Sequence, residues 1–123
     1  MFLNIISIFL GGGIGAVARF LISFNVAKYY NFPLATFLVN VIGSFIIGFL
    51  YVFFIEKTDL SPAVKLALTV GFCGGLTTFS TFSLELFEML GNHQIVQAFS
   101  YIIISVTICL LMTAIGAYFA KFV

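Results

Sequence analysis

Gly71-Phe-Cys-Gly-Gly-Leu-Thr-Thr-Phe-Ser-Thr-Phe-Ser83 is the stretch on which the reading of this chain turns. It lies inside a long apolar segment, yet it carries a pair of adjacent glycines and a run of hydroxyl side chains. Residues 63–90 make a segment of 28 residues. Fully helical, that would be about 42 Å long, against a bilayer hydrocarbon core of about 30 Å. Two glycines followed by two β-branched threonines are poor helix formers, so a break is predicted at Gly74-Gly75, close to the midpoint. Irregular backbone at that depth survives only when it is buried in protein or lines a water-filled cavity. The competing arrangement is a straight helix whose hydroxyls bond back to the preceding turn.

The rest of the chain supports lipid as the main solvent. Of its 123 residues, 63% are hydrophobic and 7% charged, with a mean hydropathy of +1.26. A soluble domain carries about 25% charged residues, so this chain has too little polar surface to face water. Spans of about 20 apolar residues fit four times along it, which predicts an all-α membrane protein with one domain over residues 1–123. No cleavage site follows the first apolar stretch before Arg19, so that stretch is read as the first mature helix. A net charge of +1 excludes nucleic acid as a partner, since that needs a basic stripe.

Helix 1 is expected over residues 3–24, ending in a polar turn around Lys28 and Asn31. Pro33 suits the first turn of helix 2, where a missing N–H costs nothing. Helix 2 stops at Glu56, Lys57, Thr58 and Asp59. Ser61-Pro62 reads as an N-cap with proline at the first helical position, opening helix 3. Gly91-Asn92 stops it, and helix 4 fills the remainder to about Lys121. Lys57, Lys65 and Lys121 then fall on one side and Lys28 on the other. So small an excess leaves open whether the chain inserts one way or both ways round.

Small residues four apart allow close helix approach in lipid: Gly11 and Gly15, Ser44 and Gly48, Gly71 and Gly75. Polar residues continue the seam on other helices. Thr36 and Asn40 share a face of helix 2, and Tyr101, Ser105 and Cys109 follow at helical spacing on helix 4. A mid-span amide such as Asn40 must bond another helix or line a pore, because alone in hydrocarbon it costs several kcal/mol. Arg19 can snorkel from near the end of helix 1. Glu85 and Glu88 either reach the interface or line a wet vestibule. Cys73 and Cys109 have no CxxC partner and read as buried small hydrophobes. His93 sits in a turn, no His pair has metal spacing, and no nucleophile has a nearby base, so an enzyme is not expected.

Three segments together carry a resemblance: Gly11-Gly-Gly-Ile-Gly-Ala-Val-Ala-Arg19-Phe20, Pro33-Leu-Ala-Thr-Phe-Leu-Val-Asn40, and the stretch quoted first. They resemble the bacterial CrcB/Fluc fluoride channels over essentially the whole chain, with the helix 3 segment the most specific. Ala35 departs from the glycine usual in that family, and helix 4 matches more weakly. The resemblance implies an antiparallel, dual-topology homodimer in the bacterial cytoplasmic (inner) membrane, passing toxic fluoride passively out of the cell through two pores. It implies a central structural sodium ion held by the carbonyls of Gly74 and Thr77. It further implies that Asn40, Phe79, Ser80, Phe82, Tyr101, Ser105 and Thr36 line the pores, with Arg19 at the vestibule. Such residues suit the ion, because amide and hydroxyl donors and the positive edges of aromatic rings can bind an anion without a trapping charge. The alternatives are a small multidrug-resistance-type exporter, which would need a carboxylate in helix 1, and a non-transporting assembly subunit held by its small-residue faces.

Overall fold

A computed structural model describes residues 1–26, 33–56 and 59–123. Among these, every regular element is helical, and four helices are long and apolar enough to cross a membrane. Helix α1 spans Phe2–Val26 and α2 spans Leu34–Glu56. The third span, Pro62–Gly91, is composite. It consists of α3 (Pro62–Leu66), a π-helical stretch (Ala67–Cys73), α4 (Gly74–Leu76) and α5 (Phe79–Gly91). The fourth is α6, Ile95–Ala120. Lys28, Asn31, Lys57 and Thr58 lie outside the described residues.

Local chemistry explains the ends. Pro33 precedes α2, and its carbonyl accepts the Phe37 N–H at 3.1 Å. Ser61 caps α3 by accepting the Val64 N–H, with Pro62 at the first helical position. Helix α5 runs through Gly91, and the left-handed residue beyond it is His93, with φ 59°. The helix thus ends at Gly91 with Asn92 as its C-cap, as expected, and His93 just beyond takes the left-handed turn.

The spans pair through glycine. Helix α1 packs on the first half of the third span, and α2 packs along α6. A methyl group on Gly11 would collide with the Ala67 carbonyl oxygen, and one on Gly15 with that of Phe72. A methyl on Gly75 would strike the Gly12 carbonyl from the other side. On the second pair, Gly48 lies against the Thr113 carbonyl and Gly116 against that of Phe45. Backbone-to-backbone contact of this kind gives dispersion and weak C–H···O attraction where lipid supplies no hydrophobic drive. Ser44, expected to share this role with Gly48, lines a cavity instead.

The interruption of the third span differs in place from the expectation. Gly74 and Gly75 are helical, while Thr77 (φ −80°, ψ 158°) and Thr78 (φ −152°, ψ 118°) are extended. Gly75 is small because α1 lies against it, not because the chain bends there.

Lys65 binds the end of α2. Its ammonium donates to the Phe54 carbonyl at 3.2 Å and lies 5.8 Å from the Phe54 ring. A cation at a helix C-terminus satisfies an orphan carbonyl and opposes the helix dipole. Lys65→Met keeps the stem and is expected to lower stability in detergent by about 1 kcal/mol, read from the denaturation midpoint. An unchanged midpoint would show that the contact is incidental.

Candidate functional site

A cavity of about 490 Å³ opens where α2, the third span and α6 meet. Its wall includes Asn40, Gly74, Thr77, Phe79, Phe82 and Ser105, together with Thr78, Ser44 and both cysteines, and carries no charged side chain. Three of the seven expected pore residues and the vestibule residue stand elsewhere. Asn40, Phe79, Phe82 and Ser105 line the cavity, whereas Thr36, Ser80, Tyr101 and Arg19 are not on its wall.

Asn40 is the hinge of the arrangement. Its Oδ1 accepts the Thr78 N–H at 2.8 Å and its Nδ2 donates to the Thr78 carbonyl at 3.2 Å. The amide thus replaces the helical partners that an extended Thr78 gives up. Thr78 in turn caps α5, accepting the Thr81 N–H at 3.2 Å. Its hydroxyl also meets those of Ser80 at 3.2 Å and Thr81 at 3.0 Å. In an uninterrupted helix, the N–H groups of residues 78 and 81 would serve the carbonyls of Gly74 and Thr77. Here both N–H groups are directed to side chains. Around Gly74 there is open space, with nothing within 4 Å of where a Cβ would stand.

The aromatic pair is uneven. The Phe79 and Phe82 ring centroids are 5.7 Å apart, but Phe79 is 78% exposed and Phe82 only 7%. Phe82 also packs on Tyr101, with centroids 4.9 Å apart. Ser105 is buried on the cavity wall, and its hydroxyl has no hydrogen-bond partner. A buried hydroxyl left unpaired costs about 1–3 kcal/mol. Among the described residues it is the one buried side-chain polar atom in that state.

A second polar cluster lies behind Phe82. The Thr36 hydroxyl donates to Glu85 Oε1 at 2.5 Å, and the Tyr101 hydroxyl donates to Oε2 at 2.9 Å. Glu85 therefore does not stand alone. It gathers the two hydroxyls that were expected to face the pore. A carboxylate inside an apolar span needs donors, and Thr36 on α2 and Tyr101 on α6 supply them. Arg19 is half-buried on α1 and is not on the cavity wall.

The chain is similar to known proteins over most of its length. The CrcB-like protein family (Camphor Resistance, CrcB) matches residues 6–117. A "Fluoride-specific ion channel FluC" of Hydrogenobaculum sp. is 41% identical over 117 residues, covering 94% of this chain and 96% of its own. "Fluoride-specific ion channel FluC 1" of Yersinia pestis is 40% identical over 117 residues, covering 94% and 92%. A FluC of Methanococcus aeolicus is 43% identical over 107 residues, covering 87% and 86%. The match runs through all four spans and nearly the full length of these relatives, so the chain belongs to the CrcB family.

Proposed function

We propose that this multi-pass membrane protein is a fluoride channel, not an enzyme, and that it lets toxic fluoride leak passively out of a bacterial cell across the inner membrane. The observation that carries the reading is the uncharged cavity where Asn40, Phe79, Phe82 and Ser105 meet, in a chain whose relatives are named fluoride-specific channels. Fluoride holds its water strongly, so a pore must offer replacement donors yet release the ion. Ser105 brings an uncommitted hydroxyl. Asn40 keeps one amide hydrogen beyond the one given to Thr78. The edges of Phe79 and Phe82 supply weak positive potential. Thr36 and Tyr101 enter less directly, by holding the Glu85 carboxylate away from the path. Helix α1 contains no Asp or Glu, which disfavours a proton-coupled exporter.

The same reading includes an antiparallel homodimer with two pores, Arg19 at the vestibule, and one structural sodium ion at the centre. The residues fit the ion. Sodium takes oxygen ligands, and the carbonyls of Gly74 and Thr77 are those whose helical donors are diverted, beside an open Gly74. Bound there, sodium would supply a fixed positive charge at the subunit contact. The exposed Phe79 supports a second copy against this face.

The test is efflux from liposomes containing the purified protein. Fluoride is expected to leave rapidly and chloride not at all, with a C-terminal tag labelled from both sides of the vesicle. Equal chloride efflux, or none of either ion, would refute the channel; one-sided tag labelling would refute the antiparallel pair; full activity in sodium-free, potassium-dialysed protein would count against the central ion.

A further inference from the structure

Both thiols of the chain lie on the wall of the one cavity described above, from different spans. Neither is in a disulfide. They differ in access: Cys73 is 4% exposed, whereas Cys109 is half-buried. Cys109 follows Ser105 by one helical turn on α6, so its side chain stands on the same stripe as the unpartnered hydroxyl. Its backbone carbonyl is occupied by the Thr113 hydroxyl at 3.0 Å, which leaves the sulfur as the group presented to the cavity. A buried hydroxyl without a partner marks this wall as one that contacts something polar and small, water or an ion. A thiol beside it shares that access.

We propose that Cys109 is a covalent modification site for small neutral sulfenylating electrophiles, and that capping its thiol closes the conduction path. The blockade rests on the fluoride-channel reading; the modification itself does not. In the step, the Cys109 thiolate attacks the sulfenyl sulfur of S-methyl methanethiosulfonate. The new S–S bond forms as the S–SO2 bond breaks, methanesulfinate leaves with the electron pair, and the thiol proton passes to water. Dithiothreitol reverses the change by exchange, releasing methanethiol and ending as its cyclic disulfide. The added methylthio group puts apolar bulk one helical turn from the Ser105 hydroxyl, on the wall that also carries Asn40.

The experiment treats the protein in liposomes with S-methyl methanethiosulfonate and reads both intact mass and fluoride efflux, each protein against its own untreated sample. One methylthio group per chain is expected, located on Cys109 by peptide mapping, with efflux reduced about tenfold or more and restored by dithiothreitol. Cys73→Ala should show the same label and the same loss. Cys109→Ala should take no label and keep a treated-to-untreated ratio near one. Label on Cys73 instead, no label at all, or full labelling of Cys109 with unchanged efflux would each overturn the proposal. If untreated wild-type liposomes release no fluoride, the channel reading and the blockade fail together, while the mass spectrum still decides the site.

Discussion

Asn40→Asp is expected to abolish fluoride efflux while the protein still elutes from gel filtration where the wild type does. Two effects add. The side chain keeps an oxygen to accept the Thr78 N–H, but the donor to the Thr78 carbonyl becomes a second oxygen. Losing that hydrogen bond costs about 1–3 kcal/mol of local stability. The larger effect is electrostatic. A carboxylate about 4 Å from a passing anion, at an effective dielectric constant of about 20, raises the barrier by about 4 kcal/mol, roughly a thousandfold in rate. The aromatic pair gives a graded comparison. Phe79→Ile removes a ring that packs little within the chain, so efflux should fall with little change in stability. Phe82→Ile also loses the Tyr101 contact, so its fall in efflux should come with about 1–1.5 kcal/mol of destabilisation. Normal efflux from all three variants would place the pore elsewhere.

Gly48→Ala and Gly116→Ala should each sharply lower the stability and yield of folded protein. On either residue a methyl meets a backbone carbonyl of the facing helix, Thr113 or Phe45. Backbone cannot rotate aside as a side chain would, so α2 and α6 must separate along their length. Overpacking against a yielding neighbour costs about 1–3 kcal/mol, and this neighbour does not yield, so the upper end or beyond is expected. Because both glycines serve one contact, the double variant should lose less than the two losses added. Gly13→Ala is the control, since nothing lies within 4 Å of a Cβ there. It should be neutral or stabilising by up to about 1 kcal/mol. Wild-type yields of the Gly48 and Gly116 variants would mean that the helices tolerate a wider spacing.

The four spans were legible because hydropathy and capping are local properties: Ser61-Pro62 opens the third span where its residue types require. The interruption was only half legible. Paired glycines fit a break and a close helix approach equally well, and here α1 claims Gly75. What decides for Thr77 and Thr78 is a partner on another helix, Asn40. Glu85 eluded the reading for the same reason. Its partners lie 49 and 16 positions away, and no spacing rule along one helix connects them.

The bond between Asn40 and Thr78 also bears on how the chain is made. The third span is the least apolar of the four, with mean hydropathy 1.3 against 2.0 to 2.4 for the others. Its extended residues would bring unsatisfied peptide groups into lipid, at several kcal/mol each. Synthesis proceeds from the N-terminus, so α2 leaves the ribosome before Thr78 does. The third segment therefore enters beside a helix that holds a matching donor and acceptor at the right depth. Asn40 serves the nascent chain as a docking point laid down one helix ahead of the segment that needs it.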